Sequence, residues 1–214
     1  MPPGSPRIAV VDYGAGNLRS VAKALLRSGL EPVVSSDPGS LLDADGVVLP
    51  GVGAFKDAMA NLTAKGLGDA VRDAIEAGRP YLGLCLGLQV LFEEGLEHGV
   101  TPGLGLLPGR VERFADHDDQ GRPRKVPHIG WNAVRFRSRH PMCAALPAED
   151  HFYFVHSYRA VPADASVTVG EADYGGRFTA AVARENVFAV QFHPEKSQAA
   201  GRRLLDAFAA WVAS

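Results

Sequence analysis

A cysteine, a histidine and a glutamate stand in this sequence where their surroundings favour covalent chemistry. Cys85 lies in YLGLCLGLQVLF, residues 81–92, with Gly83 and Gly87 two positions to either side. The spacing G-x-C-x-G is that of a nucleophile elbow, where small neighbours let a strand turn sharply into a helix and lift the central side chain out of the sheet. A sulfur at the start of a helix is favoured as thiolate, and the N–H of Leu86 would face a developing oxyanion. An isolated cysteine among apolar residues is more often an inert core residue, so the elbow needs a base. QFHPEKS, residues 191–197, offers one. Pro194 pushes His193 into an extended conformation, and Glu195 two residues on can face the same way, orient the imidazole and stabilise its protonated form. Read alone, H-P-E is a surface turn. The third piece is LPGVGAF, residues 49–55, where Gly51 and Gly53 free backbone N–H groups to turn toward an oxyanion. The bland alternative is a simple βα turn, but the three pieces together point to acyl transfer on a cysteine nucleophile.

These pieces need a frame that brings three distant segments together. IAVVD (8–12), EPVVSS, GVVLP (46–50) and YLGLC read as buried strands, separated by helical spacings such as Leu18, Val21, Ala22 and Leu25. Alternating β and α predicts a mostly parallel central sheet with helices on both faces, an α/β fold of flavodoxin-like type whose site lies at the carboxyl ends of the strands. From about residue 106 short β-like runs follow one another and predict an antiparallel extension of the sheet. A C-terminal helix carries Leu204, Phe208, Trp211 and Val212 on one face. We expect one domain over residues 7–214 after a flexible N-terminal arm, residues 1–6.

The 214 residues are 46% hydrophobic and 21% charged, with 22 basic against 24 acidic side chains. That composition suits a chain with a full core, and no basic block invites nucleic acid. No stretch is apolar for long enough to span a bilayer, and the start MPPGSPR lacks a signal-peptide core, so the reading is a soluble, cytoplasmic protein. Cys85 and Cys143 show no metal-ligand spacing, and neither a metal nor a cofactor is expected.

At these motifs the chain resembles the class I (triad) glutamine amidotransferases, whose signature is the elbow, here GLCLGLQ, with a later HPE. VVDYGAGNLRSV, LPGVGAF, GLCLGLQVLFEE, KVPHIGWN, YFVHSYRA and VQFHPEKS occur in the order seen in members that serve imidazole glycerol phosphate synthase. The resemblance implies that Cys85 attacks the side-chain amide of L-glutamine, His193 passes a proton to the leaving ammonia, and Glu195 holds His193. It implies an oxyanion strand at Gly51, Val52 and Gly53, which can need a peptide rearrangement, with Leu86 as second donor. Gln89, His156, Ser157 and Tyr158 would bind the substrate. A cyclase subunit would complete a heterodimer and receive the ammonia, docking near Tyr13, Gly14, Ala15, Gly16, Asn17, Trp131, Tyr153 and Lys196. From composition alone Trp131 would be a core aromatic and Lys196 a solvated charge.

Other readings compete. An amidotransferase of the anthranilate or GMP synthase type would keep the fold and change the product. A non-catalytic scaffold would show a damaged triad. A cysteine peptidase would share only the nucleophile. A dinucleotide site fails at Arg19, where its fingerprint needs glycine. His128, His140 and His151 read as surface or loop histidines, Cys143 as structural, and the polar stretch 115–124 as a surface loop.

Overall fold

The structure, a computed structural model, describes residues 4–137 and 140–214; residues 1–3 of the expected arm lie outside the described residues. The first half alternates as the pattern predicts: β1 (Arg7–Val11), α1 (Leu18–Arg27), β2 (Glu31–Ser35), α2 (Gly39–Leu42), β3 (Gly46–Gly51), α3 (Phe55–Ala64), α4 (Leu67–Glu76) and β4 (Tyr81–Cys85). There follow α5 (Leu86–Gln89), β5 (Phe92–Gly95), β6 (Thr101–Pro102), β7 (Leu107–Arg113), β8 (His128–Phe136) and α6 (Pro141–Ala144). The chain ends with β9 (Glu149–His156), β10 (Tyr158–Pro162), β11 (Thr168–Asp173), β12 (Arg177–Arg184), β13 (Val187–Val190) and α7 (Gln198–Val212).

The strands form one sheet in the order β2-β1-β3-β4-β13-β12-β10-β7-β5-β6, with β11, β8 and β9 branching from β12. From β2 to β13 the neighbours are parallel. Beyond β13 the pairings are antiparallel, except for β5 beside β7. Strand residues alternate between two cores, because successive side chains point to opposite faces. Ala9, Val11, Val47, Leu49 and Tyr81 join α3 and α4 on one face through Leu62 and Val71. Ile8, Val10, Val48, Leu82 and Leu84 pack against α1 and α7 on the other, through Val21, Leu25, Leu204 and Phe208.

Two local expectations change. The apolar run after Cys85 is a single helical turn, and FEEG follows as β5 because its backbone pairs with β7. HFYFVHSYRAV is two strands, β9 and β10, broken at Ser157. The stretch 115–124 is an exposed loop held by its own polar groups: Asp118 accepts from the Gln120 and Arg122 amides, at 2.9 and 2.8 Å.

Candidate active site

Strands β3, β4 and β13 lie side by side and parallel, so their carboxyl ends open on one edge of the sheet. β3 ends at Gly51, β4 at Cys85, and His193 follows β13 by three residues. Cys85 takes φ 54° and ψ −103°, a conformation that strains any side-chain-bearing residue and that is held by the packing around it. The flanking glycines make that packing possible through space, with ordinary backbone angles of their own. A Cβ on Gly87 would strike the Leu49 carbonyl oxygen, and one on Gly83 would come within 2.5 Å of the Gly87 oxygen. The Tyr81 hydroxyl, buried beneath the turn, donates to the Gly87 carbonyl at 2.7 Å.

Cys85 is 7% exposed and lines a cavity of about 340 Å³. His193, Val52, Gly53, Leu86, Gln89, His156, Ser157, Tyr158 and Lys196 line the same cavity. His193 has φ −109° and ψ 94°, the extended conformation expected before proline, but Glu195 reaches it through a 3₁₀ turn, Pro194–Lys196, instead of along a strand. His193 Nδ1 and Glu195 Oε1 are 2.9 Å apart, both side chains nearly inaccessible. Burial alone would lower the His193 pKa; the nearby Cys85 sulfur and the hydrogen-bonded Glu195 carboxylate outweigh it and push it up to about 9. The helix dipole expected at Cys85 is weak, since α5 has one turn. His193 is fixed by its backbone: its N–H donates to the Tyr153 carbonyl, and its carbonyl accepts from the buried Ser197 hydroxyl at 2.7 Å, whose oxygen accepts from the Tyr153 amide.

Gly51 stands apart from the cavity. It pairs with Cys85 as the last residue of β3, and a Cβ there would meet the Tyr13 hydroxyl and Leu86 Cβ. Val52 is 42% exposed and Gly53 takes φ 101°. Tyr13, implied to lie at a partner surface, is 2% exposed, with a hydroxyl that has no hydrogen-bond partner beneath Gly51. Burial raises its pKa, and the charge of Cys85 adds to the rise. Gly14, Ala15 and Gly16 form the loop after β1, with positive φ at both glycines, and Asn17 caps α1 by accepting from the Ser20 amide. Trp131 is 48% exposed and edges onto Tyr153, whose ring carries the Lys196 ammonium at 5.9 Å. The aromatic is thus a surface residue, because it lies on the outward face of β8.

His128 corrects the sequence reading. It is 3% exposed, with its Nδ1 3.0 Å from His156 Nε2, and burial lowers its pKa to about 4. Its strand register on β8 buries it opposite His156 on β9. His140 is half-buried between Phe188 and Trp211 and His151 is exposed. Cys143 is buried and unpaired, its thiol pushed up to about 11 by burial. Sequence reasoning also missed Glu97, Gln191 and Ser197. Glu97 lines the cavity and accepts from the Phe55 amide at 2.7 Å, capping α3. The only signal for Gln191 and Ser197 was their place two residues before His193 and two after Glu195.

The fold and this site define a class: the chain belongs to the class-I glutamine amidotransferase family, whose model matches residues 9–210. Within it, the imidazole glycerol phosphate synthase subunit HisH of Aromatoleum aromaticum is 51% identical, covering 96% of this chain and 98% of its own. The subunit of the same name from Methylococcus capsulatus is 53% identical over 95% of this chain and 96% of its own. Among solved structures, PurLQS from Thermotoga maritima superposes with a TM-score of 0.75 at 22% identity, covering 97% of this chain and 99% of that one, a likeness of fold.

Proposed function

We propose that the chain is the glutaminase subunit of an imidazole glycerol phosphate synthase, a cytoplasmic enzyme of histidine biosynthesis. The observation that carries this reading is the likeness of about half of all residues, over nearly the whole chain, to relatives named for that subunit. In this reading the Cys85 thiolate attacks the side-chain amide carbon of L-glutamine, and the oxyanion is held by the Leu86 N–H and, after its peptide turns inward, the Val52 N–H. His193 gives its proton to the departing ammonia, leaving a glutamyl thioester. Neutral His193 then takes a proton from water, whose oxygen attacks the thioester to release glutamate and return the thiolate. Glu195 holds His193 in the orientation both steps need. Glu97 supplies a carboxylate for the substrate's ammonium, while Gln89 and the backbone of Ser157 and Tyr158 bind the rest of the amino-acid end.

Ammonia set free in neutral water is protonated and loses its nucleophilicity, so the reading needs a synthase subunit seated over the cavity mouth. The exposed apolar side chains of Val52, Ile129 and Trp131, with Tyr153 and Lys196 beside them, supply a docking face for a cyclase.

The test is glutamate release from glutamine by the purified chain, alone and with the cyclase and its ribotide ligand. Strong release in the complex is expected, at least about 100-fold weaker with Cys85→Ala, which still binds the cyclase because the buried sulfur is not among the exposed side chains of the docking face. A folded complex of the unaltered chain with no glutamate release would sink the reading.

A further inference from the structure

A buried chain of hydrogen bonds also reaches the Cys85 sulfur, through His128, His156 and Gln191, to which the mechanism gives no part in the chemistry. The Tyr158 carbonyl, which can only accept, lies 2.7 Å from His156 Nδ1 and 3.1 Å from Gln89 Nε2. Both nitrogens must therefore carry hydrogen. The second N–H of Gln89 goes to Gln191 Oε1 at 3.1 Å, which leaves the Gln191 amide nitrogen on the other side, 3.6 Å from Cys85 Sγ. Toward the surface, His156 Nε2 is left as the acceptor for His128 Nδ1–H at 3.0 Å, and His128 Nε2 for Asn132 Nδ2 at 3.3 Å. One carbonyl thus sets every direction in the chain.

Gln191 is fully buried, 0% exposed, just after β13, and its own N–H donates to the Ala180 carbonyl. A buried side-chain amide is costly unless both ends are satisfied, and here the two ends are used on Gln89 and on the sulfur. A donor aimed at sulfur favours the thiolate over the thiol. We infer that Gln191 is a positioning residue of this site: it donates a hydrogen bond to the Cys85 thiolate and holds Gln89 so that the Gln89 side-chain oxygen stays free for the bound amino acid. The inference deepens the functional reading and rests on Cys85 being the nucleophile.

The experiment is alkylation of Cys85 by iodoacetamide from pH 5 to pH 10, on the full chain, read by mass spectrometry on the Cys85 peptide. In Gln191→Met, which keeps the length and loses the donor, the midpoint of the rate–pH curve should rise by about half a unit to one unit. Gln191→Leu is measured beside it, so that one folded variant suffices. A merely structural role would lower the melting temperature and leave the midpoint where it is in the unaltered chain, and that result overturns the inference. Alkylation needs no glutamine turnover. A shifted midpoint in a chain without glutaminase activity would keep Gln191 in place and remove the functional reading.

Discussion

His193 stands between two groups that both favour its protonated form, the Cys85 sulfur and the Glu195 carboxylate, against a burial that favours the neutral one. With the pKa at about 9, the imidazolium that the proposed mechanism uses for ammonia departure persists well above neutral pH. Glu195→Gln removes a full charge 2.9 Å from the ring and keeps the shape of the side chain. The alkaline limb of kcat/KM for glutamine in the complex should then move to lower pH by about one unit or more. A limb that stays where it is in the unaltered enzyme would mean that Glu195 acts on orientation alone. At this scale the triad was legible because its members lie in two short motifs. Gln191, Glu97, Ser197 and His128 were not, because an isolated polar residue is read as exposed until the packing around it is known.

Adjacency of β3, β4 and β13 is what turns three motifs into one site, and the elbow between β4 and α5 is where its geometry is set. The small neighbours of G-x-C-x-G let the chain turn as the sequence reading expects, and the structure shows how: the bend sits on Cys85 and the glycines clear the space it needs. Gly87 touches the Leu49 carbonyl on the neighbouring strand, and backbone cannot step aside as a flexible side chain can. Gly87→Ala should therefore cost about 3 kcal/mol of unfolding free energy, measured in urea, where Ala at an ordinary helical position would be neutral or better. A cost below about 0.5 kcal/mol would show that β3 and the elbow yield to each other. The length of α5 was hidden for a related reason: QVLFEE has the apolar content of a helix, and only pairing with β7 makes its second half a strand.

Over the whole molecule the buried histidines act on stability with opposite signs. Burial lowers His128 to about 4 and His156 to about 3, the latter against the Tyr158 carbonyl, so both are neutral when folded and take up protons on unfolding. Their contribution is complete above about pH 6.5, the ordinary histidine value, and is lost as pH falls toward those lowered values. His193, raised to about 9, contributes fully below about pH 6.5 and loses that contribution as pH rises through about 9. The melting temperature of the isolated chain should peak near neutral pH, and in His193→Asn the decline between pH 6.5 and 9 should flatten while the acid side remains. An alkaline decline of unchanged slope would contradict the assignment. By itself the sequence determined the alternation of strand and helix, the sheet type, the family and the proposed triad, because these depend on local periodicity and on motifs a few residues long. The tertiary structure alone decided that Trp131 faces outward and His128 inward, that Tyr13 is buried against Gly51, and that Gln191 meets the sulfur 106 positions away in the chain. Those facts depend on strand register and on which segments become neighbours, and burial is a property of neighbours.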